Sequence, residues 1–454
     1  MGRFEADATF EVGALVTALA LWPARARAAD APAVIDADGT RTWRELAARV
    51  ARRAKELAVE LALLHAPNDL SLVEELLALQ VAGGVPVLVS PRVPRERAER
   101  WFEGVGGCLA ARARAALAGG EAVAADALAD VMFTSGSTGG PKAVAHSFGN
   151  QRASAEGANA HVPFEPGDRW LLSLSLCHVG GLGILERARA GGGAVVVPPP
   201  GMPLAEALSR FAITHVSLVR TQLFDLLSTS AGREALAQVK AVLVGGGPCP
   251  DALLADALAA GVPVAQTWGM TETTAQVTTS ALGAPFTCGR PLPGRALRVD
   301  DEGRICVRGP TLAAGYVTEG GVGLPLDDEG WLVTSDLGRL DDEGNLMVMG
   351  RADNVFISGG ENVQPEEIEA ALLSHPRVRE AVVVPVEHPR WGMRPVAFVD
   401  VEGGLSESEL REHLLARLPR FLVPDSFWPW PDEERAGKPS RPRLTARARA
   451  SQPR

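Results

Sequence analysis

Residues Val131–Val144 read VMFTSGSTGGPKAV, and this stretch decides how the rest of the chain is interpreted. An apolar strand leads into nine residues that hold three glycines, four hydroxyl side chains and a terminal lysine. Backbone N–H groups, hydroxyls and a cation together suit a polyphosphate. Pro141 separates Gly140 from Lys142, and Ala143 follows the lysine, so the stretch is not a Walker A loop. We interpret it as a phosphate-binding loop of another kind, with a glycine–serine linker as the alternative.

Apolar strands alternate with helical stretches on both sides of this loop. Upstream, the spacing predicts helices at Thr42–Leu57, which starts with a capping box, and at Leu70–Val81, then a strand at Val85–Val89. Downstream it predicts four strands and two helices, at Trp170–Leu174, Ala194–Val197, His215–Val219, Ala241–Val244, Leu204–Phe211 and Thr221–Leu227. This alternation indicates an α/β fold whose large N-terminal domain has parallel-sheet αβα layers. Ligands of such folds collect at the carboxyl ends of the strands.

The pattern changes after Pro285, where short strands are joined by the acidic turns Asp300–Gly303 and Asp341–Gly344. These features predict a small antiparallel subdomain. The last hundred residues alternate again and predict a small α+β C-terminal domain, with elements at Pro365–Leu373, Ala381–Val386, Arg394–Val399 and Ser406–Leu418. We place the large domain at residues 1–350 and the small one at 351–454, and expect the tail Ala446–Arg454 to be frayed.

Composition limits the class of partner and the compartment. The chain has 454 residues, with 45 Lys+Arg against 55 Asp+Glu and a net charge of −10, which argues against nucleic acid. Its five cysteines are scattered and fit reduced thiols in the cytoplasm. The apolar run Val12–Leu21 follows acidic residues and predicts an amphipathic helix, and no run of about 18 apolar residues supports a membrane span. The oligomeric state stays open, with a homodimer as one alternative.

Four later segments complete a recognisable order along the chain. They are Trp268–Thr273 (WGMTET), Gly330–Gly338 (GWLVTSDLG), Gly350–Asn354 with Ser358–Glu369, and Arg435–Lys438 (RAGK). With the loop at Val131–Val144, they resemble the adenylate-forming superfamily of acyl-CoA synthetases, peptide-synthetase adenylation domains and firefly-type luciferases. The resemblance implies a two-step reaction. A carboxylate attacks the α-phosphate of ATP and releases pyrophosphate, and the thiol of coenzyme A then displaces AMP.

The resemblance also implies an ATP site, and each residue type suits its part. Glu272 is an oxygen ligand for Mg²⁺, and the hydroxyl of Thr271 can reach the α-phosphate. Trp268 offers a flat face to adenine, and Asp336 can accept from both ribose hydroxyls. Taken alone, these residues also fit a solvated glutamate, a core tryptophan and a turn cap. The full ATP-binding set is Thr134, Ser135, Gly136, Ser137, Thr138, Gly139, Lys142, Gly245, Gly246, Gly247, Trp268, Gly269, Met270, Thr271, Asp336 and Arg351.

Moving parts are implied at the C-terminal end of the chain. Lys438 matches the catalytic lysine that a mobile loop delivers to the acyl carboxylate and α-phosphate, although a surface lysine is the alternative. Asp353 matches the hinge about which the small domain rotates between the two steps. The loop after the hinge, with Ser358, Gly359 and Gly360, matches the coenzyme A tunnel.

Two segments point to one branch of the superfamily. Leu174–Ile184 (LSLCHVGGLGI) resembles the acyl-pocket element, and Thr214–Leu223 (THVSLVRTQL) resembles the o-succinylbenzoate–CoA ligases of menaquinone biosynthesis. The implied acyl-pocket residues are His178, which is also a catalytic candidate, Ser217, Val219, Arg220 and Thr221.

Two residues depart from the pattern of this branch. Arg220 replaces a proline and Cys177 replaces a phenylalanine. Arg220 would either pair with a second substrate carboxylate or face solvent at the strand end. The alternatives in function are a CoA ligase for another aryl or short acyl acid, a carrier-loading domain, a luciferase-like oxygenase and a catalytically silent nucleotide-binding relative.

Overall fold

The computed structural model describes residues 29–57, 61–117, 125–135, 141–434 and 439–451. The helix predicted at Val12–Leu21 lies outside these residues. In the part of the chain that the structure describes, the helices are all too short or too polar to cross a membrane.

A nine-stranded sheet forms the first layer, in the order β13-β12-β11-β10-β9-β7-β8-β1-β2. Its central strands from β11 to β1 are parallel, and antiparallel strands extend both edges. The strands are β1 (Pro32–Asp36), β2 (Gly39–Thr42), β7 (Arg169–Leu171), β8 (Ala194–Val196), β9 (His215–Leu218), β10 (Ala241–Val244), β11 (Val264–Met270), β12 (Ala275–Thr279) and β13 (Arg290–Pro291).

A six-stranded sheet carries the phosphate-loop segment, in the order β17-β16-β6-β5-β4-β3. Strands β3, β4 and β5 are parallel, and β6 returns antiparallel to β5 as a hairpin. The strands are β3 (Leu61–Leu64), β4 (Val85–Leu88), β5 (Leu128–Ser135), β6 (Pro141–Ser147), β16 (Gly315–Thr318) and β17 (Gly321–Gly323).

Two further sheets follow in the second half of the chain. The antiparallel order β14-β15-β18-β19 matches the subdomain expected after Pro285, and the C-terminal sheet has the order β21-β20-β23-β22 with β24 beside β23. Their strands are β14 (Ala296–Val299), β15 (Arg304–Arg308), β18 (Leu332–Leu340), β19 (Leu346–Arg351), β20 (Phe356–Ser358), β21 (Glu361–Val363), β22 (Val378–His388), β23 (Gly392–Val401) and β24 (Ser426–Pro429). The α/β fold class with an antiparallel subdomain is confirmed.

Helices cover these sheets and bury the core. They are α1 (Trp43–Ala54), α2 (Leu70–Val81), α3 (Arg95–Leu117), α4 (Phe148–His161), α5 (Val179–Gly191), α6 (Leu204–Arg210), α7 (Arg220–Leu227), α8 (Ser230–Ala237), α9 (Asp251–Ala259), α10 (Pro365–Leu373), α11 (Glu407–Leu415) and α12 (Arg441–Ala450). The capping box predicted at Thr42 is present, because its side chain accepts from the Glu45 N–H. One buried cluster joins α1 and α2 to the nine-stranded sheet around Trp43 and Trp170.

The C-terminal tail differs from the prediction. Frayed chain was expected over Ala446–Arg454, but α12 continues to Ala450, and Leu444 and Ala448 are buried beside Trp430. Leu444 and Ala448 are four residues apart, so they form a narrow apolar face on this Arg-rich helix. So narrow a face was not detected in the sequence.

Candidate functional site

The β5–β6 hairpin brings the two ends of the predicted phosphate loop together. Thr134 pairs with Lys142 and Ser135 with Pro141 across the hairpin. Gly136, Ser137, Thr138 and Gly139 lie outside the described residues, so their role stays a prediction. The loop therefore leaves one antiparallel strand end and returns to the next, with Lys142 at its base.

The side chain of Tyr316 connects Lys142 to Glu272. The Lys142 ammonium lies 4.9 Å from the centre of the Tyr316 ring, and the hydroxyl donates a 2.8 Å hydrogen bond to Oε1 of Glu272. Burial and the Glu272 charge raise the pKa of Tyr316, so the phenol stays a donor. This chain's one tyrosine thus lies between the predicted phosphate cation and the predicted metal ligand.

Backbone geometry fixes the turn that carries Thr271 and Glu272. Strand β11 ends at Met270, and a 3₁₀ turn follows at Thr271–Thr273. A Cβ at Gly269 would lie 1.8 Å from the Ala275 carbonyl oxygen, which explains the glycine. Thr274 and Ala275 then adopt φ values of +49° and +79°, which L-residues seldom occupy. Neighbouring contacts must hold this strained turn in place.

Trp268, two residues before the end of β11, contacts Asp336 on β18. Trp268 is 7% exposed, and its Nε1 donates a 2.8 Å hydrogen bond to Oδ2 of Asp336. Arg351 donates to Oδ1 at 2.6 Å and to Asp353 at 3.0 Å. Burial lowers the pKa of Arg351, but Asp336 and Asp353 raise it by more. The predicted adenine, ribose and hinge residues are therefore in direct contact.

The glycine run after β10 lies against the strand that leads to Trp268. A Cβ at Gly245 would lie 2.8 Å from Cγ2 of Thr267, and Gly246 has φ of +83°. Gly247 has open space around the position of a Cβ. The glycines therefore let this backbone lie close to strand β11, as their sequence suggests. Contact with adenine stays a prediction.

The predicted acyl-pocket residues cluster at the starts of two helices. His178 is the residue before α5, and Val219 precedes α7, which begins with Arg220 and Thr221. Ser217, on β9, is 8% exposed.

A polar cluster surrounds Cys177 next to His178. The Cys177 Sγ lies 3.0 Å from Oγ of Ser175. Burial alone would raise the pKa of this thiol, but hydrogen bonds and charge from His178, then Ser175 and Ser90, lower it overall. The replacement of phenylalanine therefore puts a polarised thiol beside the acyl segment.

Arg220 does not face solvent, which was one of the two alternatives drawn from the sequence. Its guanidinium pairs with Glu380 and donates to the carbonyl of Arg379, both on β22 of the C-terminal sheet. The side chains of Arg220 and Glu380 are 13% and 15% exposed, so the pair is largely shielded from solvent. Burial raises the pKa of Glu380, and Arg220 lowers it by less. The prediction that Arg220 faces solvent at the strand end is therefore wrong. Its guanidinium already pairs with Glu380, and its role toward a substrate carboxylate stays a prediction.

The predicted coenzyme A residues form a hairpin between β20 and β21. Ser358 is 3% exposed and accepts a hydrogen bond from Arg394 at 3.2 Å. Gly359 and Gly360 have φ values of +61° and +91°, and a Cβ at Gly359 would lie 2.9 Å from the Trp391 ring. Lys438 lies outside the described residues, and its delivery to the site stays a prediction.

Four residues near these positions were missed as site candidates in the sequence: the half-buried Tyr316 and the buried His146, Asp130 and Arg187. His146 and Asp130 are both fully buried, with His146 Nδ1 2.7 Å from Asp130 Oδ1. Burial lowers the pKa of His146, but Asp130 and the Thr271 carbonyl raise it by more. Arg187, on α5, is 7% exposed with its guanidinium 4.7 Å from the centre of the Trp170 ring. The sequence around a single buried histidine or arginine does not show which residue will contact it in the fold.

Comparisons with known proteins agree with this geometry. Residues 106–317 match the AMP-binding enzyme family, and residues 367–438 match the AMP-binding enzyme C-terminal domain. The 2-succinylbenzoate–CoA ligase of Salmonella typhimurium is 35% identical over 430 residues, which cover 90% of this chain and 92% of that protein. The chain belongs to the 2-succinylbenzoate–CoA ligase family. The predicted membership of the adenylate-forming superfamily is thereby confirmed.

Other members of the 2-succinylbenzoate–CoA ligase family match over different lengths. The Bacillus cereus enzyme is 37% identical over 309 residues, so the match spans 65% of this chain and 64% of that relative. A structure of an Escherichia coli MenE variant with bound OSB-AMS has a TM-score of 0.83 and 30% identity, covering 94% of this chain and 97% of that one. Bacillus subtilis MenE in complex with ATP and magnesium ion has a TM-score of 0.77 and 29% identity, covering 92% and 95%.

Proposed function

We propose that this protein is an AMP-forming acid–thiol ligase that converts o-succinylbenzoate to o-succinylbenzoyl-CoA in menaquinone biosynthesis. The observation that supports it most strongly is a pair of contact groups on one strand and the turn after it. Tyr316 contacts both Lys142 and Glu272, and Trp268, four residues before Glu272 in the chain, contacts Asp336. These contacts bring together the group types that a nucleoside triphosphate needs: a cation and a carboxylate for the phosphates and their metal, an acceptor for the ribose and an aromatic ring for the base. The choice of o-succinylbenzoate as the acid and coenzyme A as the thiol rests on the family to which the chain belongs.

The first step joins two anions, so the chain must offset their repulsion. A carboxylate oxygen of the acid forms a bond to the α-phosphorus of ATP, and the bond to the bridging oxygen of pyrophosphate breaks. Lys142 and Lys438 supply cations to the phosphates and to the developing charge, and Thr271 supplies a hydroxyl donor. In the second step the coenzyme A thiol loses its proton and its sulfur bonds to the acyl carbon. The bond from that carbon to the phosphate oxygen breaks, and AMP leaves with the bonding electrons. These roles are proposals for each residue.

Glu272 fits a magnesium ion bound mainly through phosphates. Within the described residues no cluster of three or more His, Cys, Asp or Glu side chains could hold a metal. Magnesium commonly uses one or two carboxylates together with substrate phosphates and water. The ion would neutralise phosphate charge when bound. Tyr316 occupies one oxygen of Glu272 and orients the carboxylate.

Arg187 supports a substrate with a second carboxylate. Burial, and then the charge of Arg295, lower the pKa of Arg187 to about 9. Among the described residues, no carboxylate forms an ion pair with it, and its guanidinium lies over the Trp170 ring. Arg187 lies on helix α5, nine residues after His178 in the chain. A buried cation there would favour an anionic acyl group.

Several coarser properties belong to the same proposal. We place the reaction in the cytoplasm, because Cys177, Cys249, Cys288 and Cys306 are free thiols. The acidic balance gives no reason to add nucleic acid as a partner. Light scattering coupled to size exclusion distinguishes the homodimer from the monomer.

A panel of acids tests the proposal. AMP release is measured with ATP, Mg²⁺, coenzyme A and o-succinylbenzoate, and then with other aryl and short aliphatic acids. We expect o-succinylbenzoate to give the highest kcat/KM. Turnover of another acid alone would keep the ligase assignment and overturn the substrate. No CoA-dependent AMP with any acid would favour the silent nucleotide-binding relative.

A further inference from the structure

The buried pair of His146 and Asp130 lies behind the turn that carries Thr271 and Glu272. Strands β5 and β6 place the two residues opposite each other, and both side chains are 0% exposed. Nδ1 of His146 is 2.7 Å from Oδ1 of Asp130, while Nε2 is 2.8 Å from the carbonyl oxygen of Thr271. The imidazole therefore joins the phosphate-loop hairpin directly to the 3₁₀ turn.

Hydrogen-bond chemistry fixes which groups donate. A carboxylate oxygen and a backbone carbonyl are both acceptors, so both ring nitrogens of His146 must donate. Gln151 donates to the other oxygen of Asp130, which holds the carboxylate and, through it, the plane of the ring. The direction of the bond to Thr271 is therefore set from two sides.

The turn itself needs such support. Thr274 and Ala275 follow it with positive φ, and neither is glycine. Ser154 donates to the Thr274 carbonyl, and the Ala313 N–H donates to the Glu272 carbonyl at 2.9 Å. His146 is the contact at the first residue of the turn, whose hydroxyl is proposed to reach the α-phosphate.

We propose that His146 is a positioning residue for nucleotide binding, which holds the Thr271 carbonyl so that the Thr271 hydroxyl and the Glu272 carboxylate face the phosphates. This inference rests on the proposed function for the identity of the nucleotide. It assigns no proton transfer and no substrate contact to His146. Loss of the bond leaves the Thr271 carbonyl buried without this donor, and the turn relaxes.

Two variants separate this role from simple core packing. In His146→Gln the amide cannot satisfy both neighbours, because its oxygen meets either the Asp130 carboxylate or the Thr271 carbonyl. In Asp130→Asn/His146→Gln the new asparagine amide donates to the glutamine oxygen, and the glutamine amide again donates to Thr271. The double variant therefore restores the bond without restoring the charge.

The matched control is His215→Gln. His215 is also buried, at 2% exposure, and its Nε2 lies 3.0 Å from the Pro163 carbonyl oxygen. It belongs to β9 in the other sheet. A general cost of replacing a buried histidine will appear in this variant as well.

Calorimetric binding of MgATP and hydrogen exchange of residues 271–276 are the readouts. We expect His146→Gln to weaken MgATP binding about tenfold and to speed exchange of that segment about tenfold, as a lost buried hydrogen bond implies. The double variant should return within about twofold of wild type, and His215→Gln should stay within about twofold. KM for the acid should change much less than KM for ATP.

Three results would overturn the positioning role. They are unchanged exchange at 271–276 in His146→Gln, an equal loss of MgATP binding in His215→Gln, and no recovery in the double variant. Failure of the proposed function looks different, because wild type would then release no AMP with o-succinylbenzoate. The exchange comparison still tests His146 in that case.

Discussion

The indole Nε1 of Trp268 donates a 2.8 Å hydrogen bond to Oδ2 of Asp336, and Arg351 donates to the other oxygen. Both oxygens of the predicted ribose acceptor are thus engaged before any ligand is considered. A carboxylate oxygen has two lone-pair sites, so ribose hydroxyls can share it with these donors. The two protein donors orient Asp336 instead of blocking it.

Asp336→Asn should weaken ATP use, because an asparagine amide must face either the Trp268 N–H or the Arg351 guanidinium as a second donor. We expect KM for ATP to rise at least tenfold, since a hydrogen bond to a charged group is worth about 1.5–3 kcal/mol. Initial rates at varied ATP provide the measurement. Asp341→Asn is the control, because Asp341 belongs to an exposed turn. Equal KM values for wild type and Asp336→Asn would remove Asp336 from the ATP site.

The Arg220–Glu380 pair connects helix α7 to strand β22 of the C-terminal sheet. The structure that contains this pair resembles the MenE variant with bound OSB-AMS over 94% of the chain. We therefore expect this contact to stabilise the arrangement used for adenylate formation. Arg220→Ala should slow adenylate formation roughly fivefold, as for a largely buried ion pair of about 1 kcal/mol net. Thioester formation from preformed adenylate should change little. Pyrophosphate release and thioester formation are measured separately.

The matched control for this prediction is Arg233→Ala. Arg233, on α8, forms a bidentate pair with Asp256, on α9. Equal slowing of both half-reactions by Arg220→Ala, or the same effect from Arg233→Ala, would contradict the assignment.

The sequence predicted the fold well where periodicity and spacing carry the signal. Strand β10 was predicted with its bounds at Ala241–Val244, and α2 with its bounds at Leu70–Val81. The order of the site segments could also be predicted, because glycine loops and the WGMTET turn are local sequence patterns.

Contacts between distant segments had no such signal. Nothing local shows that Arg220 pairs with a residue 160 positions away, or that His146 reaches the Thr271 carbonyl. These partners depend on how the sheets pack, and packing was not readable from one chain. Tail helix α12 was missed for the same reason, since only Leu444 and Ala448 carry its buried face.

Lys438→Ala should remove adenylate formation far more than thioester formation. The chain contains only four lysines, and Lys438 and Lys142 are the two that the motifs place near phosphate. We expect adenylate formation to fall by about a hundredfold or more, the usual scale for one charge-stabilising donor. Quenched reactions measure the two steps separately: those with o-succinylbenzoate report adenylate formation, and those with preformed adenylate report thioester formation. Lys240→Ala is the control, because Lys240 pairs with Asp168.

Equal losses in both steps would contradict the role of Lys438. A similar loss in Lys240→Ala would show that the effect reflects general electrostatics of the anionic substrates.

His215 should make the stability of the large domain depend on pH. Burial lowers its pKa to about 4, with Asp168 opposing and Lys240 and Arg187 assisting, among the rings of Phe164 and Trp170. The unfolded histidine titrates near its ordinary value of about 6.5, so the unfolded chain binds more protons between these values. The stabilisation from neutral His215 is complete above about pH 6.5 and falls as pH drops toward about 4.

Urea unfolding at several pH values measures this effect. Over that window wild type should lose roughly 3 kcal/mol more stability than His215→Gln, and the difference between the two proteins should be constant above pH 7. His215→Gln supplies its own baseline, because every other titrating group is shared. Parallel stability curves from pH 7 to pH 4 would show that His215 is not held neutral by burial.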